Sequence, residues 1–409
     1  MRASRSNILA FVLAGGKGER LFPLTSERTK PSVPFGGKYR IIDFALSNLV
    51  NSGIYSTYVL VQYKSQSLIE HIRTSWRKGG IFPRHFITVV PPQMRREEIK
   101  AWYRGTADSI YQNINLIYDF KPRFVAIFGG DHVYRMDIKG MIDFHIRKKS
   151  KLTIASMPIE GSQANQFGVA EIDGDSRIKK FQEKPILSHN KDVLASMGNY
   201  IFDADFLVDI LNQRVKKRRV NDFGKQIIPY LIQKKERVFA YNFSQNKIPY
   251  LKKSEAKYYW KDVGSISAYW QANMDLLGKK PLLDLDNLHW PIYASNFNCP
   301  GAYTTESKIE NSIICEGSKI FSSSIKNSIL GRSVIIEEGC EIEDSIIMDF
   351  TQIKKNCRIR KTIIDRFNTI PQNKIIGYNS IQDKKKYYFD SSGIVVIGRG
   401  LRGKEFFNL

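Results

Sequence analysis

Asn7-Ile-Leu-Ala-Phe-Val-Leu-Ala-Gly-Gly-Lys-Gly-Glu-Arg-Leu21 is the stretch whose reading decides the fold. Ile8 to Ala14 is a continuous apolar run, rich in β-branched and large side chains, and it predicts a parallel strand buried on both faces. Gly15, Gly16 and Gly18 then release the chain into a turn whose backbone N–H groups are open to a ligand. Lys17, Arg20 and Lys30 bring positive charge to the same rim, so the loop suits a phosphate or the edge of a nucleobase. Neither common phosphate motif is present. A P-loop requires Gly-Lys-Ser/Thr after its spacer, and the dinucleotide fingerprint requires a glycine where this chain has Leu21. By itself the loop could also be a turn that closes a βα unit.

Outward from that loop the chain alternates strands and helices, as a parallel α/β sheet does. Arg40 to Asn51 carries apolar residues at helical spacing and ends on the Asn51-Ser-Gly53 stop signal. Tyr58–Val61 and Phe86–Val90 read as strands, Gln62 to Ile72 as a loop and helix, and Ser109 to Tyr118 as one helix. Phe124–Phe128 is a further buried strand that runs into Gly129-Gly-Asp-His132, placing Asp131 where open α/β sheets bind their ligands. A turn residue capping the next helix is the plainer alternative for Asp131.

Leu152–Met157 is a strand, and Phe167–Ile172 and Ile178–Phe181 pair through an Asp173-Gly174 turn. In Glu183-Lys184-Pro185, proline is expected to push Lys184 into an extended conformation; an ordinary surface lysine is the usual alternative, and the surrounding Phe-x-Glu-Lys-Pro pattern argues against it. Ala195–Phe202 is another strand, Asp222 to Pro229 a loop and helix, and Tyr258 to Gly264 brings a second strand-end carboxylate, Asp262, before a helix from Ser267 to Leu277.

Regular patterning lapses between 282 and 305, which reads as a linker between a domain of residues 1–281 and a domain of residues 306–409. In the latter, Ile314, Ile320, Ile325, Leu330, Ile336, Ile342, Ile347, Ile353, Ile359, Ile364, Ile370 and Ile376 recur in steps of five or six. That period belongs to a hexapeptide parallel β-helix, whose aliphatic residues stack inward. The scaffold alone assigns no chemistry, and it often serves oligomerisation.

Composition narrows the class further. The 409 residues, 42% hydrophobic, suffice for two or three folded domains. No apolar run approaches the ~18 residues of a membrane span and no secretory leader precedes the first strand, so a soluble, cytoplasmic protein is expected. The four cysteines, at 299, 315, 340 and 357, lack metal or disulfide spacing and read as small buried hydrophobes. A net charge of +23 favours anionic substrates, but its clusters are short and scattered, without the aromatic interleaving of a nucleic-acid surface. Neither nucleic acid nor membrane is an expected partner.

Two phrases carry a resemblance. Leu13-Ala-Gly-Gly-Lys-Gly-Glu-Arg-Leu21 with Lys30-Pro-Ser-Val-Pro-Phe-Gly-Gly-Lys-Tyr-Arg-Ile-Ile-Asp-Phe-Ala-Leu-Ser-Asn48 resembles the opening of sugar-nucleotide pyrophosphorylases. The second phrase, together with Trp102-Tyr-Arg-Gly-Thr-Ala-Asp108, is similar to the glucose-1-phosphate adenylyltransferases, the ADP-glucose pyrophosphorylases of glycogen and starch synthesis. The resemblance runs from about Ile8 to Arg399. It implies a Rossmann-like α/β nucleotidyltransferase domain with a mixed, mainly parallel sheet, followed by a left-handed β-helix. It also implies a homotetramer, ATP and glucose 1-phosphate as substrates, and regulation by anionic small molecules.

Carried over by position, the resemblance sets Leu13, Ala14, Gly15, Gly16 and Gly18 against the nucleotide, with Gln93, Gly105, Thr106 and Asp108 near its base and ribose. Arg20 and Lys30 would face the phosphates. Tyr103, Gly168, Glu183, Lys184, Ser196 and Tyr200 would surround the sugar phosphate, and Gln62 and Trp102 match loops that relay activation. The reaction needs no protein nucleophile, because the sugar phosphate is already ionised. It needs two polyanions held in line with the leaving charge neutralised, and Asp131 with Asp262 could hold one Mg²⁺ between them. Relatives activated by sugar bisphosphates commonly carry a lysine where this chain has Glu27, which puts that form of activation in doubt. The rival readings are a nucleotidyltransferase using UTP or dTTP, a non-catalytic regulatory subunit, which fits poorly with Arg20, Lys30, Asp131, Lys184 and Asp262 all in place, and a polyanion-binding protein drawing on the +23 charge, which expects binding steeply dependent on salt.

Overall fold

The computed structural model describes residues 7–76, 84–92, 102–186, 192–216, 220–295 and 297–401. Ile8–Leu13 lies at the centre of a nine-stranded sheet, parallel to Ser56–Leu60 on one side and Phe124–Gly129 on the other. Phe86–Val90 extends the parallel side beyond Ser56–Leu60. On the other side the long strand Val193–Asp203 runs antiparallel to Phe124–Gly129, Leu152–Ile159 and Gly168–Ile172, which makes the sheet mixed.

The apolar run folds as its composition requires. Ile8, Ala10 and Val12 enter one core and Leu9 and Phe11 the other, following the two-residue period of a strand buried on both faces. Ile41–Asn51 is a helix, and Asp43 at its third position accepts the Arg40 N–H at 2.8 Å to close the first turn. The helix expected over Ser109 to Tyr118 is two helices, Thr106–Gln112 and Ile114–Phe120, broken at Asn113, whose side chain donates to the Ser109 carbonyl at 2.9 Å.

The C-terminal part is a parallel β-helix with three sheets. Ile309 stacks on Ile325, Ile325 on Ile342, Ile342 on Ile359 and Ile359 on Ile376. All twelve repeat positions face this interior core, eleven of them buried and Ile314 packed at its edge. Ile329, Ile346 and Ile363 turn the other way, into a cluster that also holds Leu21, Leu24, Phe35, Phe44 and Tyr269 of the N-terminal part. One face of the β-helix is thus packed against the unit that carries the glycine loop. Cys315, Cys340 and Cys357 are buried and Cys299 is partly exposed; all four are free thiols. Among the described residues no helix is long and apolar enough to cross a membrane.

Candidate active site

Leu13 and Gly129 are in register at the C-terminal ends of the two central parallel strands, and the Gly130 N–H donates to the Leu13 carbonyl at 3.0 Å. The glycine loop and the Gly129-Gly-Asp131 turn therefore open at the same edge of the sheet, above a cleft of about 900 Å³. Its walls include Leu13, Gly15, Gly16 and Gly18 on one side and Tyr103, Gly105 and Thr106 on another, with Arg20, Lys30, Asp131, Glu183 and Tyr200 around them. Ala14 lies just beneath, buried, with its N–H bonded to the Leu60 carbonyl at 2.9 Å.

Asp131 and Asp262 meet through a two-stranded ladder. His132–Tyr134 pairs antiparallel with Trp260–Asp262, and the register sets His132 opposite Asp262. Lys30 reaches between the carboxylates: its Nζ is 3.2 Å from Asp131 Oδ2 and 2.5 Å from Asp262 Oδ1, and its side chain is only 7% exposed. Burial works against the Lys30 ammonium, yet the two carboxylates outweigh it and hold its pKa above the usual lysine value. For Asp131 burial pulls upward, while Lys30 and His132 pull harder and hold the carboxyl well below its usual range. Arg20 Nη2 stands 3.8 Å from Asp262 Oδ2 with its side chain mostly in solvent, free to turn toward an incoming anion.

Among the described residues, Asp131, His132 and Asp262 form the one cluster whose ligand atoms lie within 4.8 Å of one another. Two hard carboxylate oxygens suit a divalent cation that keeps water and phosphate oxygens as its other ligands. His132 is the member that sequence reading overlooked. Its Nδ1 is buried without a hydrogen-bond partner, a feature with no local sequence signal beyond its place after Asp131.

On the opposite wall, Thr106 donates to Asp222 Oδ2 at 3.1 Å and accepts the Phe223 N–H at 3.0 Å, which fixes the Gly105-Thr106 turn. Asp108 is buried behind it, accepting from the Arg104 N–H at 2.8 Å and from Gln112 Nε2 at 2.9 Å, so its carboxylate shapes the turn. Gln62 and Tyr103 exchange hydrogen bonds, and the neighbouring rings of Tyr63 and Trp102 stack with centroids 4.7 Å apart. Gln93 lies outside the described residues.

Gly168 is in register with Glu183, and a Cβ there would come within 2.4 Å of the Phe181 ring, so a larger residue would have to displace that ring. Burial and then neighbouring Asp222 raise the Glu183 carboxyl. Asp222 escaped sequence reading because it comes from a distant loop. Tyr200 is buried at the cleft wall, and Ser196 accepts the Gly198 N–H at 3.2 Å across an irregularity in its strand. Lys184 departs from expectation. It takes a left-handed φ of 51° instead of an extended one, because its N–H turns back to the Phe167 carbonyl at 2.9 Å, and its side chain is exposed. The restriction before proline bears hardest on the right-handed helical region, and the turn avoids that region by another route.

The nucleotidyl transferase family matches residues 9–279, and the GlmU-like C-terminal hexapeptide family matches residues 299–397. The glucose-1-phosphate adenylyltransferase of Thermodesulfovibrio yellowstonii is 50% identical over 400 residues, covering 97% of both chains. Those of Thermus thermophilus and Deinococcus radiodurans are 43% and 41% identical, each covering 97% of this chain and 99% of the relative.

Proposed function

This chain belongs to the glucose-1-phosphate adenylyltransferase family, and we propose that it transfers the adenylyl group of ATP to α-D-glucose 1-phosphate, giving ADP-glucose and pyrophosphate. The observation that carries this reading is the pair Asp131 and Asp262 bridged by Lys30, with Asp131 and Lys30 lining the cleft beside the glycine loop. A phosphate oxygen of the sugar phosphate attacks the α-phosphorus of ATP. The bond from that phosphorus to the β-phosphate oxygen breaks, and the electron pair leaves with pyrophosphate. Both reactants are ionised, so the protein's work is alignment and charge neutralisation.

In this reading Gly15, Gly16 and Gly18 let the backbone approach the triphosphate. Gly105, Thr106 and Tyr103 bound the cleft on the other side. Arg20 and Lys30 neutralise the departing pyrophosphate. Glu183, with Gly168, Ser196 and Tyr200 beside it, receives the sugar, and Lys184 would reach in from the rim. Asp131 and Asp262 would hold Mg²⁺, which when bound supplies positive charge shared by both phosphate chains.

We further assign residues 1–281 to catalysis, 282–305 to a linker and 306–409 to the β-helix, in a cytoplasmic homotetramer whose product feeds glucan synthesis. The hydrogen-bonded pair Gln62 and Tyr103, next to the Tyr63–Trp102 stack, supports a relay from anionic effectors to the cleft. Pyrophosphate release with Mg²⁺ and glucose 1-phosphate, compared across ATP, UTP and dTTP, tests the assignment. A rate confined to ATP supports it, a preference for UTP or dTTP moves the chain to a sister activity, and no rate at all favours a regulatory subunit.

A further inference from the structure

Lys30 occupies a position that the charge-neutralising role does not account for. Its ammonium lies between the two carboxylates, 2.5 Å from one and 3.2 Å from the other, in the space a divalent cation held by both would take. The side chain is not there by surface accident. Lys30 opens the short helical turn Lys30–Ser32, is 7% exposed, and packs beneath the glycine loop, where a Cβ on Gly18 would stand 3.0 Å from Lys30 Cβ. The ammonium sits on Asp131 and Asp262, and Lys30 lines the same cleft as Gly15, Gly16 and Gly18 of the loop offered to a triphosphate.

A lysine ammonium is a compact point charge with three donors, able to stand in for a small cation between two carboxylates. It cannot share that space with a metal, because the two charges repel at close range in a partly dehydrated site. We propose that Lys30 and a divalent cation compete for the space between Asp131 and Asp262, so that metal is held tightly only once nucleotide phosphates draw Lys30 toward the glycine loop. The lysine offsets the repulsion between the two carboxylates and holds them preorganised while no substrate is bound, and it couples metal binding to nucleotide binding. By linkage the coupling is reciprocal: nucleotide tightens metal by the factor by which metal tightens nucleotide. This inference rests on assigning the metal to Asp131 and Asp262.

Mn²⁺ serves as a paramagnetic probe, its free concentration read by electron paramagnetic resonance with no sugar phosphate and no turnover. Wild-type protein without nucleotide is expected to bind Mn²⁺ weakly. Lys30→Met, which keeps the length and removes the charge, should bind it about tenfold more tightly or better, within the usual range of coupled sites. Lys30→Arg, which retains a cation, should stay weak, and that contrast separates charge from general loosening of the site. A non-hydrolysable ATP analogue should then tighten Mn²⁺ on wild type far more than on Lys30→Met, after allowance for Mn²⁺ bound by the analogue itself. Equal Mn²⁺ affinity in wild type and Lys30→Met without nucleotide would overturn the competition and leave the metal assignment standing. Mn²⁺ binding untouched by Asp131→Asn and by Asp262→Asn would overturn the metal assignment, and the competition with it.

Discussion

Arg28 and Asp365 form an ion pair in which each side chain is only 1% exposed, joining the segment two residues before Lys30 to a coil of the β-helix. Arg28 also donates from Nε to the Leu24 carbonyl at 3.0 Å, so the chain between Arg20 and Lys30 is tied down from beneath. Arg40 and Arg366 lie close by, and burial with like charge lowers both, Arg40 to about 10. Removing the Asp365 carboxylate would leave Arg28 buried among other cations. Asp365→Asn should therefore cost about 3–5 kcal/mol of stability, the usual cost of breaking a buried pair from one side. Urea unfolding checks this, and a loss near zero would mean that the pair is not a structural tie.

Asp131→Asn removes an anionic oxygen from a side chain that is two-fifths exposed and contributes nothing to the core. Turnover should fall at least about a hundredfold while the protein stays folded, with only a modest fall in melting temperature because Lys30 keeps its Asp262 partner. Near-normal turnover would remove Asp131 from the mechanism.

Gly18 has φ of 66°, and a Cβ there would press on Lys30 Cβ at 3.0 Å. Gly18→Ala should cost about 1–2 kcal/mol in backbone strain and displace Lys30, raising KM for ATP together with a fall in kcat. Steady-state kinetics read both changes; unaltered constants would show that the loop accommodates the side chain without disturbing Lys30.

His145 is buried with Nδ1 2.8 Å from Thr153 Oγ1 and no partner for Nε2. Burial pushes its pKa down to about 4, against about 6.5 in an unfolded chain. The folded state binds fewer protons, so this contribution to stability is complete above pH ~6.5 and is lost as pH falls toward 4. His71, also lowered by burial, acts in the same direction. Unfolding free energy measured across that window should slope less steeply in His145→Gln; an unchanged slope would remove His145 as a source.

Glu27 places a carboxylate 3.8 Å from Arg399 Nη1, with two-thirds of the glutamate side chain in solvent. Any phosphorylated activator docking beside Glu27 would meet a repelling carboxylate. Fructose 1,6-bisphosphate is expected to stimulate the enzyme weakly, and Glu27→Lys should strengthen the response. Strong, saturable activation of the wild type would contradict this.

Much of the fold is legible in the sequence where one local pattern controls it. The run Ile8 to Ala14 needs no partner to declare itself a two-sided buried strand, and the isoleucine ladder of the β-helix repeats until chance is excluded. Contacts set by distant residues are different. No local feature of Trp260–Asp262 says that it pairs with His132–Tyr134, yet that register brings the second carboxylate to the first. The Phe35-Gly-Gly37 segment, so discriminating as a sequence phrase, packs where the two parts of the chain meet: a Cβ on Gly37 would lie 2.3 Å from Cys315 Sγ of the β-helix. Lys184 shows the other limit, since a proline rule describes one dihedral preference and a single hydrogen bond to Phe167 redirected it.

The most direct test of adenylyl transfer is to follow the α-phosphorus. With ATP labelled at that position, glucose 1-phosphate and Mg²⁺, the account predicts label in ADP-glucose alone and one unlabelled pyrophosphate for each ADP-glucose formed. Label in free ADP or AMP without nucleotide sugar, or label carried into the sugar only when UTP or dTTP replaces ATP, would contradict it.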